Sequence, residues 1–348
     1  MAKVRVLTVD DSALMRQVLA TLLAKDPDIE VVGSAPDPYI AREKIKALNP
    51  DVLTLDVEMP KMDGLTFLEK LMRGHPMPVV MVSSLTEAGC QTTLRALELG
   101  AVDFITKPKI DLREGMEEVA CDLITKVKAA AVANVKRQAS CVTREAMSLP
   151  SSTAMIKTTD TIIAIGASTG GTEAVKSVLE VLPSNTPPIL ITQHMPERFT
   201  KMWAARLNSL SRISVKEAED GDSVLPGHAL VAPGNYHMTL VRSGARYSVN
   251  ITQGEPVNRH RPSVDVMFDS VAQCAGANTI GVILTGMGGD GAKGMLRMKQ
   301  AGAYTIAQDE TSCVVFGMPK EAIKLGGVDK VLSLVEIPSA MMAYVCKP

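Results

Sequence analysis

The chain of 348 residues has little net charge, no paired-cysteine motif and no long apolar run. Its formal net charge is -1 without a clustered Lys/Arg excess, so nothing in the charge points to a nucleic-acid partner. The six cysteines are scattered without a C-x-x-C pair, which argues against a disulfide framework or a zinc site and fits a reducing compartment. No apolar stretch reaches the roughly 18 residues needed to span a bilayer. We therefore expect a cytoplasmic protein that does not insert into membranes.

The length favours two domains, each able to bury its own core. In about the first 110 residues, β-branched runs alternate with amphipathic stretches: VRVLTV precedes SALMRQVLATLLA, and DVLTLDV precedes GLTFLEKLM. Five such repeats predict an α/β domain built on a five-stranded parallel doubly wound sheet. Ligands of such sheets bind at the carboxyl ends of the strands.

Polar residues stand at the ends of four predicted strands. Asp10 and Asp11 follow the first strand, and Asp56, Ser83 and Lys107 end the third, fourth and fifth. Each aspartate taken singly could be a helix cap or a solvated turn residue. Three carboxylates together at one edge suit a cation, and an all-oxygen set suits Mg²⁺. The Lys107 ammonium and the Ser83 hydroxyl would then hold a phosphoryl group arriving at Asp56.

This pattern resembles the response-regulator receiver domain over residues 1 to about 125. The resemblance implies a flavodoxin-like fold, Asp56 as the phosphorylated residue and a histidine kinase as the phosphodonor. Mg²⁺ would be held by Asp11, Asp56 and the backbone carbonyl of Glu58. In the family an aromatic residue changes rotamer on activation, and Phe104 matches it. The implied phosphorylation pocket also contains Asp10, Ser83 and Lys107.

A linker is predicted after the receiver, because the apolar period fades from about Ala129 into a Ser/Thr-rich stretch. We assign residues 1–125 to the receiver, 126–158 to a helical extension and linker, and 159–348 to a second domain. In the second domain strands are predicted, between helices, at the runs TIIAIG, PILITQH, HALVAP, YSVNIT, TIGVILT, YTIAQ and KVLSL. The expectation is a second doubly wound, mostly parallel α/β unit.

The segment TIIAIGASTGG places Ser168 in a glycine-rich turn between a strand and a helix. Such a turn can present a serine as a nucleophile, or it can cradle the phosphates of a dinucleotide. A dinucleotide site would have an acidic residue at the end of the next strand, where this chain has His194 instead. Because strands joined by a right-handed crossover commonly neighbour one another, His194 is available as a general base.

Another glycine-rich loop, TGMGGDGA, contains Asp290 as its only acid. Asp290 could orient the imidazole of His194, or it could be the N-cap of the helix at Ala292. The order Ser168, His194, Asp290 is not that of α/β-hydrolases, where the acid precedes the histidine. The remaining histidines are assigned to turns or polar loops without a functional role: His75, His228, His237 and His260.

The combination of GASTGG, QHMP and TGMGGDGA, fused to a receiver, resembles the chemotaxis protein-glutamate methylesterase family over essentially the whole chain. The resemblance implies hydrolysis of glutamyl methyl esters on methyl-accepting chemotaxis receptors, with release of methanol and deamidation of receptor glutamines. Ser168 is then the nucleophile, His194 the base and later the acid, and Asp290 the orienting carboxylate. N–H groups of Met287 and Thr169 are expected to bind the oxyanion, and the esterase step needs no cofactor. Phosphorylation would relieve inhibition by the receiver.

Three alternatives compete with this interpretation. A DNA-binding transcriptional regulator is disfavoured by the lack of a helix-turn-helix-like segment or basic face in the second half. An NAD(P)-binding protein is disfavoured by the missing ribose acid. A receiver-controlled adaptor without esterase activity would retain the fold and lose the chemistry, and it is disfavoured by the presence of all three triad residues.

Overall fold

The computed structural model describes residues 2–84, 86–107, 116–135 and 161–346. These residues form two compact units, one within 2–135 and the other within 161–346. Most of the predicted linker, residues 136–158, lies outside the described residues. Across the described ranges, no helix combines the length and the apolar character that a membrane crossing requires.

The first unit alternates strands and helices along its whole length. Its strands are β1 (Val4–Val9), β2 (Ile29–Ala35), β3 (Val52–Asp56), β4 (Val79–Ser83) and β5 (Asp103–Thr106). Its helices are α1 (Ala13–Leu23), α2 (Pro38–Leu48), α3 (Gly64–Gly74), α4 (Glu87–Glu98) and α5 (Met116–Ala131). The strands pair in the order β2-β1-β3-β4-β5, and every pairing is parallel. This confirms the predicted five-stranded doubly wound sheet.

Local chemistry explains where these elements begin and end. Every residue of β3 and β4 is buried, as expected for central strands of a parallel sheet covered on both faces. Four helices begin after a short polar residue whose side chain accepts a hydrogen bond from an N–H of the first turn. These caps are Ser12, Asp37, Asp63 and Thr86. Since Ser12 caps α1, Asp10 and Asp11 stay in the loop at the carboxyl end of β1.

The second unit contains a larger parallel sheet and a separate hairpin. The sheet strands are β6 (Ile162–Ala167), β7 (Ile189–Gln193), β8 (Ser214–Glu217), β9 (His228–Val231), β12 (Thr279–Ile283), β13 (Tyr304–Gln308) and β14 (Lys330–Leu332). The hairpin pairs β10 (His237–Ser243) with β11 (Arg246–Thr252) in antiparallel register. The helices are α6 (Gly171–Leu179), α7 (Phe199–Leu210), α8 (Val264–Ala275), α9 (Ala292–Gln300), α10 (Met318–Lys324) and α11 (Ile337–Val345).

The large sheet reverses its direction of growth at β6. Its strand order is β14-β13-β12-β6-β7-β9-β8, so β6 lies between β7, the next strand of the chain, and β12, a much later one. All these pairings are parallel, which confirms the mostly parallel α/β prediction. A crevice forms at the carboxyl ends of the strands where the order of such a sheet reverses.

Two strands of the second unit were not predicted. In β8 only Val215 is buried, so the segment has no clear apolar alternation. The strand β10 begins at His237, which was assigned to a polar loop but is buried. The His237 ring is satisfied there by partners distant in the chain: Nε2 lies 2.9 Å from the Glu255 carbonyl, and the Ser263 N–H donates to Nδ1 at 3.2 Å. Only the folded chain supplies those partners.

Candidate active site

Three loops meet at the crevice of the large sheet. Ser168 follows β6, His194 follows β7, and Asp290 lies in the loop after β12. Backbone hydrogen bonds hold these loops in register, because the Ser168 N–H donates to the Thr285 carbonyl and the His194 N–H donates to the Ala167 carbonyl. The three residues predicted from the strand ends are therefore neighbours in space.

Glycines allow the sharp turn around Ser168. Gly170 has a φ of 77°, a left-handed conformation that glycine adopts without strain. The Gly171 N–H donates back to the Ser168 carbonyl at 2.6 Å, which closes the turn and starts α6. Gly286, in the loop after β12, packs directly against the serine, since a Cβ on Gly286 would stand 2.7 Å from the Cβ of Ser168.

The His194 ring bridges the other two side chains. Its Nδ1 lies 3.1 Å from Ser168 Oγ, and its Nε2 lies 2.8 Å from Asp290 Oδ2. With Nε2 protonated and donating to the carboxylate, Nδ1 carries the lone pair that faces the serine hydroxyl. This is the arrangement of nucleophile, base and orienting acid that acyl transfer by a serine requires.

Asp290 is buried and accepts hydrogen bonds from several sides. Burial alone would raise its pKa, but donation from His194 and Asn258 and from the Val264 N–H outweighs burial and holds the pKa below its usual range. Ser263 Oγ adds a further bond to Oδ1 at 2.8 Å. The carboxylate thus stays ionised, which is the form that stabilises an imidazolium.

The capping alternative for Asp290 was wrong about which helix is capped. The N-cap of α9 is Gly291, which makes no side-chain capping bond. The Asp290 carboxylate instead accepts the N–H groups of Val264 and Asp265, the first two residues of α8. A helix N-terminus carries partial positive charge, so α8 contributes to keeping Asp290 ionised.

The predicted oxyanion groups lie next to the serine. Met287 immediately follows Gly286, and among the described residues no acceptor is found for its N–H. The Gly286 carbonyl accepts from the N–H groups of Gly317 and Met318, which fixes the loop. Thr169 is buried directly after Ser168, and its carbonyl accepts from Thr285 Oγ1 at 3.0 Å. The roles of Met287 and Thr169 as oxyanion donors stay predictions.

Several residues at this site were missed by sequence reasoning. Gln193 Nε2 donates to the carbonyls of both Ser168 and His194, at 2.9 and 3.2 Å, and so joins the two loops that carry these residues. The His260 ring stacks on His194 with centroids 3.7 Å apart and planes 8° from parallel. Asn258 and Ser263 bind Asp290. Gln193 could have been noted for its place beside His194, but nothing local distinguishes His260 or Asn258 from ordinary loop residues.

The group His194, His260 and Asp290 offers ligand atoms within 4.8 Å of one another. Its geometry is poor for a metal ion, because the lone pairs of nearly parallel rings lie in parallel planes and do not converge on one point. Both nitrogens of His194 also face hydrogen-bond partners already. The group is better described as part of a hydrogen-bonded acyl-transfer site.

The first unit contains a cluster of three acids at the carboxyl ends of its strands. Asp10, Asp11 and Asp56 present carboxylate oxygens within 4.8 Å of one another, and Lys107 Nζ donates to Asp56 Oδ2 at 2.8 Å. Burial and then the charge of Asp10 raise the pKa of Asp56 to about 6, although Lys107 acts in the opposite direction. Burial also raises the pKa of Asp10. Three carboxylates that share one lysine are only partly neutralised, and a cation would stabilise them.

The donor set fits Mg²⁺. Within the described part of the chain, Asp10 Oδ2 is a buried oxygen without a hydrogen bond, although Lys107 Nζ lies 3.6 Å away. Asp11 and Glu58 line an open cavity of about 570 Å³, while Asp10 and Asp56 are buried. All candidate ligands are oxygens, as a hard divalent cation prefers.

Two residues of the predicted phosphorylation pocket, Ser83 and Phe104, make contacts with residues other than Asp56. Ser83 Oγ donates to the carbonyl of Gly89 at 3.2 Å and accepts from Thr93 Oγ1 at 2.6 Å, so its hydroxyl is bonded to α4 and not to Asp56. Phe104 is buried, and Lys126 Nζ lies 5.3 Å from its ring centroid. Their parts in phosphorylation stay predictions, and a role for Ser83 requires its hydroxyl to change partner.

Comparisons with known proteins agree with both units. Residues 163–341 match the CheB methylesterase family and residues 6–120 match the response regulator receiver domain. A protein-glutamate methylesterase/protein-glutamine glutaminase of Geobacter metallireducens is 61% identical over 98% of this chain and 96% of its own length. The protein-glutamate methylesterase/protein-glutamine glutaminase of Salmonella typhimurium is 60% identical over 99% of this chain and 98% of its own length. The crystal structure of the Thermotoga maritima CheB methylesterase catalytic domain aligns with TM-score 0.52 and 42% identity, covering 53% of this chain and 98% of that one.

Proposed function

The chain belongs to the CheB methylesterase family and acts as a protein-glutamate methylesterase and protein-glutamine glutaminase with an N-terminal receiver domain, and we propose on this premise that Ser168, His194 and Asp290 carry out the hydrolysis. The substrates are glutamate methyl esters and glutamines of chemotaxis receptors. The single observation that supports the assignment is the continuous contact from Ser168 Oγ through the His194 ring to Asp290.

In the first half-reaction Ser168 Oγ attacks the ester carbonyl while His194 Nδ1 takes the hydroxyl proton. The resulting imidazolium is stabilised by the ionised Asp290 at Nε2, and the tetrahedral oxyanion accepts the N–H of Met287 and a group near Thr169. His194 then gives its proton to the leaving methoxide, and methanol departs. A glutamine substrate loses ammonia at the same step.

In the second half-reaction water attacks the acyl-enzyme, with His194 again as base. Collapse of the second tetrahedral intermediate returns the proton to Ser168 Oγ and releases the receptor glutamate. Because hydrogen bonds hold the pKa of Asp290 below its usual range, the acid stays ionised through both halves at neutral pH. The reaction as written uses only side chains, backbone N–H groups and water.

The alternative functions find less support. In a dinucleotide site the glycine turn would face phosphates, but here the Ser168 hydroxyl faces His194, and β7 ends in Gln193 instead of an acid. An adaptor without catalysis would not need the buried, multiply bonded Asp290. The geometry therefore favours the esterase.

The receiver is proposed to regulate this activity by phosphorylation of Asp56 from a histidine kinase. Asp11, Asp56 and the Glu58 carbonyl would hold Mg²⁺, with Asp10 beside them, and the ion would neutralise charge around the phosphoryl group when bound. Lys107, already on Asp56, would pair with the phosphoryl oxygens. We propose the domain division 1–125, 126–158 and 159–348, and a cytoplasmic location without nucleic-acid partners or membrane insertion.

Methanol release from methylated receptor membranes tests this proposal directly. The full-length chain should release methanol, and acetyl phosphate with Mg²⁺ should increase the rate. The same membranes treated with Ser168→Ala protein provide the background. Absence of methanol release from correctly folded wild-type protein, with and without the phosphodonor, would refute the esterase function.

A further inference from the structure

A four-residue turn, 257–260, lies against the base and the acid of the triad. Val257 and His260 exchange backbone hydrogen bonds of 3.1 and 2.9 Å, and the two residues between them have positive φ. These φ values are 53° for Asn258 and 66° for Arg259. Non-glycine residues rarely adopt this conformation, and such exceptions cluster where the surrounding structure uses them.

Asn258 fixes the turn to two buried carboxylates. Its Nδ2 donates to Asp290 Oδ1 at 2.7 Å and to Asp265 Oδ2 at 2.8 Å, so both amide protons are used. Asp265 in turn accepts the Gly294 N–H at 2.6 Å. The amide therefore separates two like charges and joins the turn to α8 and α9. Removing it would leave the carboxylates facing each other, which raises their pKa values.

His260 covers one face of the His194 ring. The ring centroids are 3.7 Å apart and the planes are within 8° of parallel. The contacts to Ser168 and Asp290 fix the positions of the two His194 nitrogens. They resist rotation of the ring about the line through those nitrogens only weakly. The χ2 torsion of histidine has a broad minimum, so a stacked neighbour is an effective restraint on tilt.

We propose that the turn 257–260 is a positioning element of the triad: His260 holds the ring plane of His194, and Asn258 holds the carboxylate of Asp290. The proposal rests on the proposed function, because it assigns roles in the same reaction. His260 acts as an aromatic surface and exchanges no proton with the substrate. The turn contacts the base and the acid, so its loss should lower kcat and leave KM nearly unchanged.

Two substitutions of His260 separate stacking from hydrogen bonding. The assay uses the full-length chain with acetyl phosphate and Mg²⁺. His260→Phe keeps an aromatic face and should retain kcat within about threefold. His260→Gln keeps a polar side chain without a ring, and its kcat should fall roughly 10- to 100-fold. The pH of half-maximal kcat/KM should be the same in His260→Phe as in the wild type. His228→Gln is the matched control, since His228 is exposed at the amino end of β9, on the edge opposite the site.

Each outcome of the His260 experiment either supports or overturns the positioning role. Retention by Phe with loss by Gln supports the proposal. Retention by Gln with loss by Phe would show that a hydrogen-bonding group matters and the stacked ring does not, which would overturn the proposal. Equal behaviour of the two variants, whether active or inactive, would also overturn it. Thermal melting of each variant identifies a folding defect, and the Phe variant keeps the test decisive if Gln fails to fold.

Asn258 is tested by an isosteric change of charge. Asn258→Asp should lower kcat more than Asn258→Ala, with KM nearly unchanged in both, because a third carboxylate repels Asp290 and displaces it from His194 Nε2. Equal kcat values for Asn258→Asp and Asn258→Ala, in proteins that melt like the wild type, would remove Asn258 from the proposal. A fluorophosphonate probe, which bonds to Ser168 Oγ as fluoride leaves, should label His260→Gln and Asn258→Asp more slowly than the wild type. Wild-type protein that takes the probe but releases no methanol would count against the proposed function, whereas unslowed labelling of the variants would count against the positioning role.

Discussion

Two buried carboxylates near the ends of parallel strands, Asp290 and Asp56, are in opposite electrostatic states. Asp290 is buried but surrounded by donors, and its pKa is held below the usual range. Asp56 is equally hidden from solvent, yet burial and the neighbouring Asp10 raise its pKa to about 6 despite the contact with Lys107. The same strand-end position has therefore produced one site whose charge is satisfied by the chain and one whose charge is not.

This difference corresponds to the role proposed for each site. A triad acts on a neutral ester, so its acid has to be ionised and correctly oriented before the substrate arrives. A phosphorylation site receives a cation and a phosphoryl group, so a group of carboxylates that the chain neutralises only in part can accept them. Hydrogen-bond satisfaction around a buried carboxylate thus separates a site completed by the protein from one completed by a ligand.

The largest expected effect separates the two sites completely. Ser168→Ala should lower methanol release by about 10⁴- to 10⁶-fold, because the nucleophile is lost, while acetyl phosphate should still label Asp56. The measurements are methanol release and incorporation of radiolabelled phosphate in the same preparation. Methanol release close to the wild-type rate would exclude Ser168 as the nucleophile.

A smaller but still large effect is expected from adding one methyl group behind the serine. In Gly286→Ala the new Cβ would overlap Met318 Sδ and stand 2.7 Å from Ser168 Cβ, so the nucleophile must move and methanol release should fall about 100-fold or more. Gly289→Ala in the same loop is the control, because its Cβ would meet Glu321 atoms only at 3.6 Å and beyond. Equal rates for the two variants would contradict the close packing of Gly286 on Ser168.

An intermediate effect tests the acid cluster of the receiver. Asp56→Asn should keep the basal esterase rate and lose the response to acetyl phosphate and Mg²⁺, which we expect to be about 10-fold, within the usual range of coupling between sites. Asp51→Asn is the control, since Asp51 precedes β3 at the other end of the strand and accepts the Arg5 N–H there. Full activation of Asp56→Asn by the phosphodonor would place the phosphorylation elsewhere.

The smallest effect is a difference in how stability depends on pH. The pKa of Asp56 is about 6 in the folded chain against 3.8 for an ordinary aspartate, so the folded state binds more protons between these values, and the free energy of unfolding falls as pH rises through that window. In metal-free buffer, Asp56→Asn should therefore exceed the wild type in melting temperature by more at pH 7 than at pH 5. Added Mg²⁺ should reduce the difference at pH 7. Calorimetry of both proteins would show this, and a difference independent of pH and Mg²⁺ would contradict the raised pKa.

Much of this molecule was predictable from local patterns. The strands Val52–Asp56 and Ile162–Ala167 are fully buried and mostly apolar, and the residues that follow such strands lie at one sheet edge in any parallel fold. The positions of Ser168, His194 and Asp290 followed from that rule. The strand β10 was missed because His237 is polar, and its burial depends on Glu255 and Ser263, which no local pattern brings together with it.

The sequence by itself determined two parallel α/β units and the strand ends at which the polar residues would meet, because apolar period and glycine-rich turns are local properties of the chain. Only the tertiary structure decided how the acids are satisfied. The Asp290 carboxylate caps α8 instead of α9, and the turn at Asn258 and His260 lies over the triad, through contacts between segments far apart in the chain. Such contacts depend on where the folded backbone carries each side chain, and no nearby residue pattern encodes that position.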